Sequence, residues 1–110
     1  GHLLSVSVNL REHPEDISLV KEAVNSWVDP IADLELPSSP KQAIRLYEEE
    51  RFPQPRLHAD REKGMQTAIG RLREGHVFDL SYVTMAHNTI RGAAGGAVLN
   101  AELLVKKDYL

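Results

Sequence analysis

Apolar and polar residues alternate along the first stretch of the chain: Val6, Val8 and Leu10 fall on one side, Ser5, Ser7 and Asn9 on the other. A period of two is that of a half-buried strand, predicted here over Leu3 to Leu10. A strand that opens this close to residue 1, with no lead-in, predicts a segment of a longer domain. The period then changes. Ile17, Val20, Val24 and Trp27 recur at helical spacing behind a Pro14-Glu15-Asp16 start. Proline suits the first helical position, and acids complement the positive end of the helix dipole. Asp29-Pro30 ends the helix, because the residue before proline is pushed out of helical space. The connector that follows, to Pro40, carries Ile31, Leu34 and Leu36 and is too apolar for a domain linker.

Gln42 to Tyr47 predicts a short strand, Glu48 to Arg51 a solvated charge run, and Phe52 to Gly64 a long exposed loop with two prolines. Loops of that length are uncommon unless they serve binding or assembly. Met65 to Arg73 alternates again, Thr67, Ile69, Arg71 and Arg73 against Ala68, Gly70 and Leu72. With a turn at Glu74-Gly75-His76 and a strand over Val77 to Met85, it predicts an antiparallel hairpin. A last helix is expected from Asn88-Thr89, as cap, to Lys107, with Ile90, Ala94, Ala97, Ala101 and Leu104 as its stripe. Gly92, Gly95 and Gly96 lie inside it, and three interior glycines cost a helix about 3 kcal/mol relative to alanine. What offsets that cost is close approach, either of a ligand or of a neighbouring sheet. The element order describes an α+β fold, a mostly antiparallel sheet with helices on one face.

Length and composition narrow the function classes. A chain of 110 residues is one domain or a piece of one. Its net charge of −3 argues against a nucleic-acid partner. One Trp, three Tyr and two Phe, dispersed, make no stacking platform for single strands. No apolar run reaches the ~20 residues of a membrane span, so a soluble, cytoplasmic unit is expected. Without cysteine there is no thiolate ligand or nucleophile. The five histidines stand at no metal-ligand spacing, so no metal is expected. His13 and His76 fall in turns facing solvent, and His87 flanks the last helix. His2 precedes a strand, and Gly1-His2 is also what a cleaved purification tag leaves behind. The glycines of Arg91 to Gly96 lack the lysine and Ser/Thr of a phosphate loop, and no nucleophile–base–orienter set is present.

Several runs resemble the C-terminal portion of the aspartate-semialdehyde dehydrogenases, in particular their archaeal and fungal-like branch. They are Gly1-His2 with Ser5-Val6-Ser7-Val8, Leu36-Pro37-Ser38-Ser39-Pro40-Lys41-Gln42, Pro53-Gln54-Pro55-Arg56-Leu57, Gly64-Met65 and Gly70-Arg71-Leu72-Arg73. The most specific is His87-Asn88-Thr89-Ile90-Arg91-Gly92-Ala93-Ala94-Gly95-Gly96, continued by Leu99-Asn100-Ala101-Glu102. The resemblance implies a parent that reduces β-aspartyl phosphate to aspartate semialdehyde with NADPH, on a route to lysine, threonine and methionine. It implies His2 as the acid/base, paired in the parent with a cysteine nucleophile outside this chain. It implies Asn88 facing the nicotinamide carboxamide, Gly92 beside it as a cofactor contact, and the run Gly92, Gly95 and Gly96 letting the last helix lie close to the nucleotide-binding domain. Residues 1–110 would be the C-terminal part of the catalytic and dimerisation domain, with helix 88–107 returning to the cofactor domain. The implied partners are a second copy, met through the sheet, and an N-terminal Rossmann portion, without which the chain is inactive. Malonyl-CoA reductases share the pattern. The chain departs from it at Leu57-His58-Ala59-Asp60 with a lone Gly64, where relatives carry Leu-Asp-Arg-Asp and Gly-x-Gly. A free-standing, self-associating module without catalysis is the competing expectation.

Overall fold

The computed structural model describes residues 1–110. Its strands are β1 (His2–Val8), β2 (Ile44–Tyr47), β3 (Thr67–Glu74) and β4 (Leu80–Ala86). Its helices are α1 (Ile17–Ser26), the single turn α2 (Pro55–His58) and α3 (Gly95–Lys106), the last preceded by a π-helical turn, Ile90–Ala94. The fold is α+β. One four-stranded sheet has the order β1-β4-β3-β2; β4 runs antiparallel to both β1 and β3, and only β2 and β3 are parallel. No helix is long and apolar enough to cross a membrane.

Helix α1 lies on one face of the sheet, where its Val20 and Val24 meet Ile44 of the edge strand β2 and Ile69 of β3. The helix begins three residues later than the proline predicts. Asp16 is its N-cap, the side chain accepting the Ser18 N–H at 3.0 Å, and Pro14 stays outside. A carboxylate satisfies an otherwise unpaired helix donor, which proline cannot do. That bond holds the Asp16 carboxyl below the usual carboxylate range.

Two small cores support the molecule. Tyr47, Ala68 and Met85 pack on the face opposite α1, with Phe52 and Ala59 against them; Leu36, Met65 and Leu99 form the second, with Ile31, Leu34, Ile90 and Leu103 around it. The first corrects the expected exposed loop. Phe52 to Gly64 folds back over the sheet, burying Pro53, His58 and Gly64. The His58 ring sits 4.4 Å from that of Tyr47 and 4.7 Å from that of Phe52, centroid to centroid, and its Nδ1 accepts the Gln54 N–H at 2.9 Å. Gly70 makes the approach possible, since a Cβ there would collide with the Phe52 carbonyl oxygen. Of the segment's charges, Arg56, Asp60, Arg61 and Lys63 face water, and Glu62 is partly buried, accepting the Lys41 N–H at 2.8 Å.

The alternation of β3 also breaks. Between Gly70 and Arg73 the ladder to β4 carries one extra residue, and Arg71 takes a left-handed φ of 53°. Such a bulge returns Arg73 to the face of Gly70, against strict alternation.

The stripe expected on the last helix is corrected as well. Ala94, Ala97, Ala101 and Leu104 are exposed, while Leu99 is buried and Gly95 and Leu103 are partly so. The π turn is the reason. Its N–H groups of Gly92 and Ala94 reach back five residues, to the carbonyls of His87 and Thr89. Each such turn takes up more chain than an α turn, so the buried face rotates away from a constant 3.6-residue period. Downstream, Glu102 ties α3 to the connector, accepting from the Ser38 N–H at 2.9 Å and its hydroxyl at 2.8 Å.

Candidate functional site

Strand register assembles the most chemically equipped hollow of the molecule. His2 pairs with Ala86, so the first strand residue lies beside the end of β4, and the chain leaving β4 brings Asn88 round to it. The Asn88 amide donates to His2 Nδ1 at 3.3 Å. Donation to Nδ1 leaves the neutral ring's proton on Nε2, the nitrogen free for other chemistry. Around this pair opens a concavity of about 490 Å³, lined by Leu4, Thr84, His87 and Gly92 among others. His2, far in sequence from Asn88 and Gly92, thus shares with them one hollow whose wall is largely apolar.

The three helix glycines separate. A Cβ on Gly95 would meet the Met65 sulfur at 2.6 Å and the Ile90 carbonyl oxygen at 2.9 Å, so its bareness serves packing within the chain. Gly96 lies against the Arg91 carbonyl oxygen, 2.8 Å from the position a Cβ would take. Gly92 differs: the nearest atom to such a Cβ is the His87 carbonyl oxygen at 3.6 Å, ordinary contact. Nothing in this chain requires a glycine there, yet it stands exposed on the hollow's rim.

The helix start is not capped by Asn88 or Thr89. The Thr89 side chain makes no capping bond; His87 Nδ1 accepts the Ile90 N–H at 3.2 Å, and its Nε2 lies 3.8 Å from Asp60 Oδ1. The order His-Asn-Thr before a helix hid this, because histidine is not among the usual cap residues. Of the remaining histidines, His76 is exposed in its turn, and His13 Nδ1 lies 2.7 Å from Asp79 Oδ1. Asp79 also accepts the Leu10 N–H at 2.7 Å, which, with His13, holds its carboxyl below the ordinary range.

Known proteins share this architecture and sequence. The family model described as "Semialdehyde dehydrogenase, dimerisation domain" matches residues 1–91. An aspartate-semialdehyde dehydrogenase of Aspergillus fumigatus is 40% identical over the whole chain, which spans 31% of that protein. The malonyl CoA reductase (NADP) of Metallosphaera sedula is 37% identical, again over the whole chain and 31% of its length. The crystal structure of the Candida albicans aspartate semialdehyde dehydrogenase with NADP superposes with a TM-score of 0.85 at 33% identity, over 98% of this chain and 30% of that one. The chain therefore spans about a third of the length of the relatives it matches.

Proposed function

Because the chain belongs to the semialdehyde dehydrogenase family and matches its dimerisation domain, we propose that its own task is to join two copies of a longer polypeptide. The observation that carries this is surface out of proportion to mass. A 12.3 kDa chain exposes 7746 Å², where a monomer of that mass exposes about 6,100 Å². The surplus of roughly 1,600 Å² exceeds the ~800 Å² per partner of a standard interface. Part of it lies on β1, an edge strand whose Leu3 and Leu4 are each about half exposed. An open edge with apolar side chains is a template for pairing. Sedimentation equilibrium of the chain should give a concentration-dependent dimer, which Leu3→Lys with Leu4→Lys dissociates. A strict monomer at high micromolar concentration would overturn the reading.

A second reading rests on the His2–Asn88 pair. In the parent enzyme, an NADPH-dependent aspartate-semialdehyde dehydrogenase acting on β-aspartyl phosphate, His2 serves as acid/base. An imidazole titrates near working pH and can both give and take a proton at Nε2. The Asn88 carboxamide suits either state of the ring, presenting its amide to a bare Nδ1 and its oxygen to a protonated one. The hollow fits the nicotinamide end of NADP: its wall is largely apolar, Asn88 matches a carboxamide, and Gly92 leaves space unused by the chain's own packing. Bound there, the cofactor supplies hydride; helix 88–107 is then the element that returns to the cofactor domain. His2→Gln in the full-length protein should lower kcat about 10²–10⁴-fold, while the isolated chain gives no NADPH signal with semialdehyde, phosphate and NADP. Malonyl-CoA reductase is the alternative parent, and assaying the full-length protein with both acyl donors separates the two.

A further inference from the structure

His87 stands where β4 hands the chain to the last helix, and both its side chain and its main chain grip the turn that carries Asn88. Nδ1 accepts the Ile90 N–H at 3.2 Å, with the Thr89 hydroxyl 3.3 Å away. The His87 carbonyl accepts the Gly92 N–H at 3.0 Å. The ring is packed rather than loose, its side chain 23% exposed. Since Nδ1 is an acceptor, the neutral ring carries its proton on Nε2, the nitrogen 3.8 Å from Asp60 Oδ1. A protonated Nδ1 would have no lone pair for Ile90, and the added charge would sit at the positive end of the helix. Two titratable groups share its surroundings, Asp60 beside Nε2 and His2 across the hollow.

We infer that His87 is a positioning residue: as a neutral cap on the helix start it fixes the turn in which Asn88 sits, and so holds the Asn88 amide on His2 Nδ1. The inference rests on the reading that His2 and Asn88 work as a pair. It accounts for a cap residue outside the usual set, since the same ring fills the hollow's wall, which serine or aspartate would leave open. Asparagine is the informative replacement. Its side-chain oxygen can accept an N–H three residues on, as N-caps do, without titrating.

The test is long-range proton–nitrogen correlation of the histidine rings in the ¹⁵N-labelled 110-residue chain, titrated through about pH 5 to 8. In the wild type the two ring nitrogens of His2 should be well separated, with the proton on Nε2. His87→Ala should collapse that separation toward the averaged signals of a free imidazole, and His87→Asn should restore it. Asn88→Ala isolates the premise. If it leaves His2 unchanged, the pair itself does not exist; if it frees His2 while His87→Ala does not, only the positioning role fails. Should His87→Ala prove unfolded in its amide spectrum, His87→Asn decides. A folded chain with wild-type His2 signals supports the cap, and a folded chain with an averaged ring overturns it.

Discussion

Gly92 and Gly95 show how one residue type at neighbouring positions answers to different causes. Gly95 is bare because Met65 and Ile90 crowd it, whereas the chain itself asks nothing of Gly92. Gly92→Ala should therefore stabilise the chain by about 0.5–1 kcal/mol, the ordinary helical gain of alanine over glycine. Gly95→Ala should lower stability by about 1–3 kcal/mol through overpacking. Urea midpoints at constant slope measure both. In the full-length protein the stabilising change should nonetheless raise the KM for NADP, if that space is the nucleotide's. Asp79 supplies a pH signature. Its pKa lies below the ordinary value because the Leu10 N–H, and then His13, favour the carboxylate. A group with a depressed native pKa lends stability that is present above its unfolded pKa, about 3.9, and lost as pH falls through the lower native value. Wild type and Asp79→Ala should differ in urea midpoint at neutral pH and converge in acid.

Among the elements, β1, α1 and β2 were legible because each keeps one period over most of its length, and the β3–β4 hairpin because alternation holds on both sides of its single bulge. Two of the misses share a cause: a period that changes partway. The π turn ahead of α3 turned Leu99 inward where Ala97 and Ala101 were expected, and the extra residue at Arg71 sent Arg73 to the other face. Phe52 to Gly64 was illegible for another reason. Its charges outnumber the few residues, Pro53 and His58 above all, that decide its burial, and those act through a Gly70 distant in sequence. Of the candidate site, the resemblance had already named His2, Asn88 and Gly92, but neither periodicity nor spacing could bring residue 2 to residue 88; only strand register does. α3 offers a direct check on the revised face. Leu99→Ala removes a buried side chain from a core cluster of three and should destabilise by about 2–4 kcal/mol. Ala97→Ser, on the stripe first expected, should shift the urea midpoint hardly at all.

The molecule as a whole is spread out. It measures 47 × 31 × 19 Å with a radius of gyration of 15.3 Å, against about 13 Å for a compact chain of this length. Only 15 of 110 residues are buried, so little of its stability is generated internally. If association supplies the remainder, the thermal midpoint should rise with protein concentration, as it does for any state stabilised by mass action. A scan across a hundredfold dilution series that gave a constant midpoint would count against it. The pairing of His2 with Ala86 has one more consequence. Side chains change sides at every step along a strand, so a slip of one residue between β1 and β4 would carry the imidazole to the far side of the sheet. The ladder thus sets which side of the sheet the imidazole stands on, as well as serving as a scaffold. Because that ladder joins the two most distant strands of the chain, its loop-closure entropy is the largest to be overcome. During refolding, signals from the His2 ring should accordingly settle after those of the β3–β4 hairpin.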